Sequence, residues 1–301
     1  MRHPLKVGAR LGALDVKGFC GGTMILAQKT ILFREEVIVT VDFKILGTCA
    51  GTGVPSFFCD CIGCKEARLN PKYARTRTGA YMNTGKDHLL IDAPPDILHQ
   101  LVREKITKID TIFLTHWHAD HYSGLGEFEY YVKLSTGEPV TLYMPESAVE
   151  EFRSTFPDLI DVFQVIPWEY GQAYNFGEVS LTPLKANHGI ETAGFLVTSK
   201  ETRLAYFPDT AGFPAETAEK LQGIDYLVCD ATLYGENWFP HSHMTVQESI
   251  AAGRGVGARK IILTHLSIHY SEPVTTVQLE EELSTEPDVS VAYDGLSIPL
   301  L

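Results

Sequence analysis

The chain has 301 residues, 45% of them hydrophobic and 21% charged, with 25 glycines and 16 prolines. This ordinary globular composition excludes collagen-like, mucin-like and wholly disordered chains. Twenty-five basic against 38 acidic residues give a net charge of −13, and residues 41–301 alone carry −16. So acidic a body repels a long polyanion and offers it no counterion release, although a local metal cluster can still hold a small phosphate ester.

No run of 18 apolar residues is present, so no membrane span is expected. Asp15 and Lys17 interrupt the apolar region that a signal peptide would need, and the expected location is the cytoplasm. Of the six cysteines (Cys20, Cys49, Cys59, Cys61, Cys64 and Cys229), three fall within six residues as C-x-C-x-x-C. That is too tight for a disulfide framework and reads as metal binding.

Residues 1–40 mix short apolar pieces with basic residues without a sustained period. They read as an N-terminal extension, poorly ordered, ahead of a single domain over 41–301. Phe43–Leu46 reads as the first strand, followed by a Gly-rich turn over Gly47–Gly53. No Lys-Ser/Thr follows that turn, so it is not a phosphate-cradling loop. Further strands are expected at His88–Asp92, Thr111–Thr115, Val140–Tyr143, Val179–Pro183, Gly194–Thr198, Leu204–Phe207, Tyr226–Asp230, Lys260–Thr264 and Val289–Ala292. Helical patterns fall at Asp96–Lys105, Ser123–Leu134, Ser147–Thr155, Ala215–Leu221, Thr245–Gly253 and Val277–Glu282. Strands alternate with helices, yet hairpin-like pairs also occur, which predicts an α/β fold of mixed sheets covered by helices.

The densest chemistry lies in Thr115-His116-Trp117-His118-Ala119-Asp120-His121. A lone strand-end histidine is most often a solvated loop residue. Here an apolar strand delivers four metal-capable side chains within six residues. His116 and His118, two apart, point to one side of an extended stretch, and Asp120 and His121 can aim at a second point nearby. Three later residues end strands in the same way: His188, Asp209 and His265. Together they make seven ligands, with His116, His118 and His188 for one metal and Asp120, His121 and His265 for the other. Asp209 bridges the two. Such a pair, about 3.5–4 Å apart, activates water and clamps a phosphoryl or acyl oxygen. Imidazole and carboxylate ligands suit Mn²⁺ or Zn²⁺.

These motifs, together with Asp92 in Leu90-Ile91-Asp92-Ala93, resemble the metallo-β-lactamase superfamily of binuclear hydrolases from about Val41 to Leu301. The resemblance implies an αβ/βα sandwich of two mixed sheets flanked by helices, with the site at the strand ends. It also implies that Asp92 supports the metal site rather than ligating metal.

The cysteine cluster calls for a fourth ligand to close a structural zinc site, and His269, four residues after His265, is read as that ligand. Cys59, Cys61 and Cys64, with Gly51-Thr52-Gly53-Val54-Pro55 just ahead, look like the carbon–phosphorus lyase accessory phosphodiesterase family. That family opens 5-phosphoribosyl 1,2-cyclic phosphate during phosphonate breakdown. Asp230-Ala231-Thr232 followed by His241-Ser242-His243-Met244-Thr245 resembles a stretch found both there and in the tRNA 3′-processing endonucleases. A histidine in that stretch protonates the leaving alkoxide; His243 is preferred and His241 is the runner-up. The expected catalytic residues are therefore His243 and Asp120, and the expected substrate is a small phosphodiester. A homodimer is what the resemblance admits. The alternatives are a tRNA-processing phosphodiesterase and a metal-binding member of the fold without turnover. Lys72, Arg75 and Arg77, just after the cysteines, are placed where they could hold a substrate phosphate but are read as ordinary loop cations.

Overall fold

The computed structural model describes residues 41–267, 269 and 272–301. The extension expected over residues 1–40 lies outside the described residues. The strands are β1 (Asp42–Gly47), β2 (Gly79–Asn83), β3 (His88–Ile91), β4 (Thr111–Phe113), β5 (Val140–Met144), β6 (Phe163–Pro167), β7 (Tyr174–Phe176), β8 (Val179–Lys185), β9 (Ala193–Thr198), β10 (Arg203–Phe207), β11 (Tyr226–Asp230), β12 (Lys260–Thr264), β13 (Val289–Val291) and β14 (Ser297–Pro299). The helices are α1 (Ile62–Leu69), α2 (Ile97–Arg103), α3 (Ala119–Tyr122), α4 (Phe128–Tyr131), α5 (Val149–Thr155), α6 (Ala215–Lys220), α7 (Val246–Gly255) and α8 (Thr276–Glu282).

Two seven-stranded sheets result, in the orders β14-β1-β2-β3-β4-β5-β6 and β13-β12-β11-β10-β9-β8-β7. Each is antiparallel at one side and parallel at the other: β3 through β6 run parallel, as do β10 through β13. Alternation along the strands decides the packing. Phe43, Ile45, Met82, Leu89, Ile91 and Phe113 of the first sheet meet Phe195, Val197, Leu204, Tyr206, Val228 and Ile262 of the second in one buried cluster. Leu90, Ile112 and Leu142 instead face a second cluster with Ile97, Phe128 and Phe152 from the helices of that side. Leu227, Cys229, Ile261 and Leu263 pack under helices on the other side. The parallel strands are thus covered on both faces, which is why they read as unbroken apolar runs. Among the described residues no helix is long and apolar enough to cross a membrane.

Several expected elements differ. The helix expected over Ser123–Leu134 is broken into a 3₁₀ turn at Ser123–Glu127, helix α4 and a wider turn at Val132–Thr136. At Gly124 a Cβ would sit 2.1 Å from the Pro94 carbonyl oxygen, so the first of these turns lies against the Pro94 backbone as only glycine allows. The strand expected to reach Asp92 stops at Ile91, since Asp92 turns into the left-handed region with φ 63°. The strand expected to reach Thr115 stops at Phe113. Strands β2, β6, β7 and β14 and helix α1 were not anticipated.

Candidate metal centre

The apolar runs of the parallel strands end in polar residues at their carboxyl ends, where an open α/β sheet places its ligands. Asp92 follows β3, the 116–121 cluster follows β4, His188 follows β8, Asp209 follows β10, Asp230 closes β11 and His265 follows β12. Asp92 and His265 both adopt positive φ, 63° and 57°. A side-chain-bearing residue pays about 1–3 kcal/mol for this, a strain found where surrounding structure fixes a functional position.

Four histidines share one arrangement: Nδ1 is held by a supporting group and Nε2 faces inward. Thr115 Oγ1 lies 2.9 Å from His116 Nδ1. Asp92 Oδ2 is 2.7 Å from His121 Nδ1, the Ser242 carbonyl 2.9 Å from His188 Nδ1, and Thr232 Oγ1 2.8 Å from His265 Nδ1. Asp92 is itself fixed by the Thr115 N–H at 2.8 Å. Partners of this kind set the tautomer and aim of metal-binding imidazoles. His118 differs in presenting Nδ1, which lies 2.9 Å from His116 Nε2 and 3.2 Å from His188 Nε2.

The inward atoms form two groups around Asp209. His116, His118, His188 and Asp209 bring their ligand atoms within 4.8 Å of one another, and so do Asp120, His121 and His265. Asp209 Oδ2 is 3.3 Å from both His116 Nε2 and His121 Nε2 and 3.7 Å from His265 Nε2. Asp120 Oδ2 is 3.7 Å from His121 Nε2 and 3.9 Å from His265 Nε2. Tetrahedral ligands on bonds of about 2.1 Å would be ~3.4 Å apart, close to these separations. The Nε2 atoms of His121 and His265 are buried and make no hydrogen bond. Buried polar atoms without partners are costly unless something such as a cation takes them. The residues present therefore fit divalent metal.

The electrostatics agree. Burial, followed by the neighbouring His121, pushes His116 well below the usual imidazole range; burial and His188 lower His118. Both are thus poised as neutral ligands. Burial opposes charge on Asp209, but His265, His116, His121 and His243 around it outweigh that and hold its carboxyl well below the usual range. Burial likewise opposes charge on His121, yet Asp92, Asp120 and Asp209 hold its imidazole well above the usual range.

His243 lies beside these groups. Its Nδ1 is 2.9 Å from Asp230 Oδ2 and 3.0 Å from Asp209 Oδ1. Burial works against its charge, but these two carboxylates raise its pKa to about 10. Asp209, Asp230, His243 and His265 also satisfy ligand spacing. Asp230 is nonetheless already occupied: besides His243, it accepts from the backbone N–H groups of Thr210 (3.1 Å), Thr232 (2.8 Å) and Met244 (3.3 Å). This group reads as a carboxylate orienting an imidazole rather than as an ion site. The cavity of about 220 Å³ over the centre is lined by Asp120, Asp209, His243 and His265 among others, and His241, which is exposed, is not one of them. Gly51 forms its far wall, where a Cβ would come within 3.1 Å of Asp120 Oδ2.

A second cluster lies beyond that wall. Cys59, Cys61, Cys64 and His269 bring their ligand atoms within 4.8 Å of one another. Cys61 caps α1, its sulfur accepting from the Cys64 N–H at 3.4 Å, and the Ser56 N–H lies 3.4 Å from Cys64 Sγ. His269 turns Nδ1 to Cys64 Sγ (3.6 Å) while Thr52 Oγ1 engages its Nε2 at 2.8 Å. Backbone hydrogen bonding at Cys61 lowers the Cys59 thiol, and burial pushes Cys64 up to about 12.

Every metal-ligating residue expected from the sequence thus falls into one of these clusters. Asp230, part of the Asp230-Ala231-Thr232 motif, takes a role that the motif alone does not give it, orienting His243. Its signal was the one that singled out Asp209, a carboxylate closing an apolar strand. The supporting groups Thr115, Thr232 and Thr52 carried no such signal. Of the three cations read as ordinary, Arg75 is buried, donating to Thr48 Oγ1 at 3.0 Å and to the Ala292 carbonyl at 2.5 Å, so it ties loops together. Arg77 pairs with Asp96 at 3.1 Å.

Two mixed sheets with a His/Asp centre at their strand ends define a metal-dependent hydrolase. The model of the Beta-lactamase superfamily domain matches residues 87–266, well over half of the chain, and the chain belongs to that superfamily, in its metallo-β-lactamase form. A diphosphatase of the PhnP family is 26% identical with a TM-score of 0.76, the match covering 86% of this chain and 96% of that one. Coenzyme PQQ synthesis protein B of Methylobacterium radiotolerans is 28% identical over 303 residues, covering 85% of this chain and 99% of the relative. An octanoyltransferase of Porphyromonas gingivalis is 26% identical over 264 residues; there the match covers 84% of this chain but only 50% of the relative.

Proposed function

We propose that the chain is a binuclear phosphodiesterase acting on a small, cyclic phosphodiester of the 5-phosphoribosyl 1,2-cyclic phosphate type. The observation that carries this reading is the placement of His243 within the same cavity as both ligand groups, held by Asp209 and Asp230. Hydrolysis of an alkyl phosphodiester needs a proton for its leaving oxygen, and a histidine within reach that is not itself required as a ligand supplies one. Likeness to a diphosphatase of the PhnP family supports phosphoryl chemistry.

His116, His118 and His188 would hold one cation, Asp120, His121 and His265 the other, and Asp209 would touch both. Bound there, two divalent cations, Mn²⁺ or Zn²⁺, supply neutralisation of phosphoryl oxygens and acidify water. The chain's own residues do the rest. Asp92, Thr115, Thr232 and the Ser242 carbonyl keep the imidazoles aimed, Asp120 would offer its carboxylate to the second cation beside the reacting group, and His243 delivers the proton. Metal-loaded protein should hydrolyse bis-p-nitrophenyl phosphate, with either Mn²⁺ or Zn²⁺. Absence of turnover with both, at full metal occupancy, would leave a binding protein in place of an enzyme.

Cys59, Cys61, Cys64 and His269 would close a structural zinc site with no open position for water. Such a site contributes stability, because the unfolded chain does not present its four ligands together. Cys61→Ser is expected to lower total zinc by one and to reduce the melting temperature. Activity per metal-loaded folded molecule should change only modestly. Full zinc and unchanged melting in both Cys61→Ser and His269→Ala would remove the site.

A further inference from the structure

We propose that Phe239 is the surface against which the leaving group stacks, so that the substrate carries a ring-bearing alcohol on the side of the scissile bond facing His243; the inference rests on the phosphodiester reading above. Phe239 is 49% exposed. Apolar surface covered by an arriving ligand contributes to its binding, and what marks Phe239 out is its place in the cavity rather than its exposure. Among the described residues lining the cavity it is the one large apolar side chain; its neighbours there are small (Ala50, Gly51) or polar. Its ring stands edge-on to the His243 imidazole, centroids 6.2 Å apart at 84°. A ring covering Phe239 would therefore lie beside the His243 imidazole, the group that protonates the departing oxygen in the reading above.

The backbone that carries the ring is tied to the segment that carries the proton donor. The Phe239 carbonyl accepts from the backbone N–H groups of both Ser242 and His243 at 2.9 Å. Its own N–H donates to Asn237 Oδ1 at 2.9 Å, and Asn237 Nδ2 donates to the His243 carbonyl at 3.0 Å and to Glu248 Oε2 at 2.8 Å. Glu248 belongs to the capping box of α7, and the Ser242 carbonyl holds His188. One turn thus sets the aromatic face, the proton donor and a candidate metal ligand together. A surface prepared in this way binds without a large ordering cost.

The test uses the full chain loaded with Mn²⁺ and two probes, phenyl phosphate and methyl phosphate, which share one anionic group and differ in the ring. Calorimetric titration should show the native protein binding phenyl phosphate about three- to tenfold more tightly than methyl phosphate, the usual worth of an aromatic pair. In Phe239→Ala the preference should collapse to about twofold or less. In Phe239→Tyr it should be retained, with methyl phosphate binding unchanged in both. Equal affinity for the two probes in the native protein, or a preference that survives Phe239→Ala, overturns the proposal. Hydrolysis of bis-p-nitrophenyl phosphate is measured on the same samples. Ring preference without hydrolysis counts against the phosphodiesterase reading alone, and hydrolysis without ring preference counts against the stacking surface alone.

Discussion

Asp209→Ala is expected to lose at least one active-site metal and to bring phosphodiester hydrolysis to background. The carboxylate is buried and central, with the ring nitrogens of His116, His121, His188 and His243 at 3.0–3.3 Å. Its removal takes away a shared ligand and also the charge that balances buried imidazoles. His121 keeps Asp92 and His243 keeps Asp230 as partners, so the metal-free variant should still fold and melt only moderately below the metal-free native protein. Acidity should act in the same direction on the native protein. His121 holds its proton well above the ordinary range, and a metal must displace that proton to use Nε2. Metal occupancy should therefore fall as pH is lowered, and Asp209→Ala should lose metal at a higher pH than the native chain. Elemental analysis after dialysis reads this directly; two retained active-site metals in the variant would contradict the shared-ligand role.

The parts of the fold legible in the sequence were those where burial on both faces writes an unbroken apolar run. Ile112–Leu114, Leu227–Cys229 and Ile261–Leu263 announce their strands in this way, and within two residues of each run's end comes a residue that sits at the centre: His116, Asp230 and His265. The missed strands β7 and β14 have three residues each and lie at sheet edges. An edge strand pairs on one side only, so it tolerates Pro299 and needs little apolar pattern. Helix α1 was hidden because its cap is a thiol, Cys61, rather than a hydroxyl or carboxylate. The close approach of Gly124 to Pro94, within the segment expected as one helix, is a contact between segments that no local pattern records.

The same division runs through the site. Ligands clustered in sequence, such as His116 to His121, were legible because the spacing itself carries the geometry. Asp92 was legible only through the family resemblance, and Thr232 and Thr52 were not legible at all, because each acts across a long separation: Thr232 on His265, Thr52 on His269. Asp230 is the clearest case. Its carboxylate gathers backbone N–H groups from three turns and orients His243, and that role exists only once β11 is placed beside β10 and β12.

His243→Ala is expected to lower turnover of alkyl phosphodiesters about 10²–10⁴-fold, the usual consequence of losing a general acid. The fold should survive, since Asp230 keeps its backbone donors from Thr210, Thr232 and Met244 when the imidazole is gone. Metal content should survive as well, because neither ligand group needs His243. The decisive comparison is between leaving groups. An alkoxide leaves only when protonated, whereas p-nitrophenolate leaves unaided. The deficit should therefore be large on a cyclic alkyl phosphodiester and much smaller on bis-p-nitrophenyl phosphate. Equal losses on both substrates in His243→Ala would assign the residue to the metal site and leave the proton to come from water.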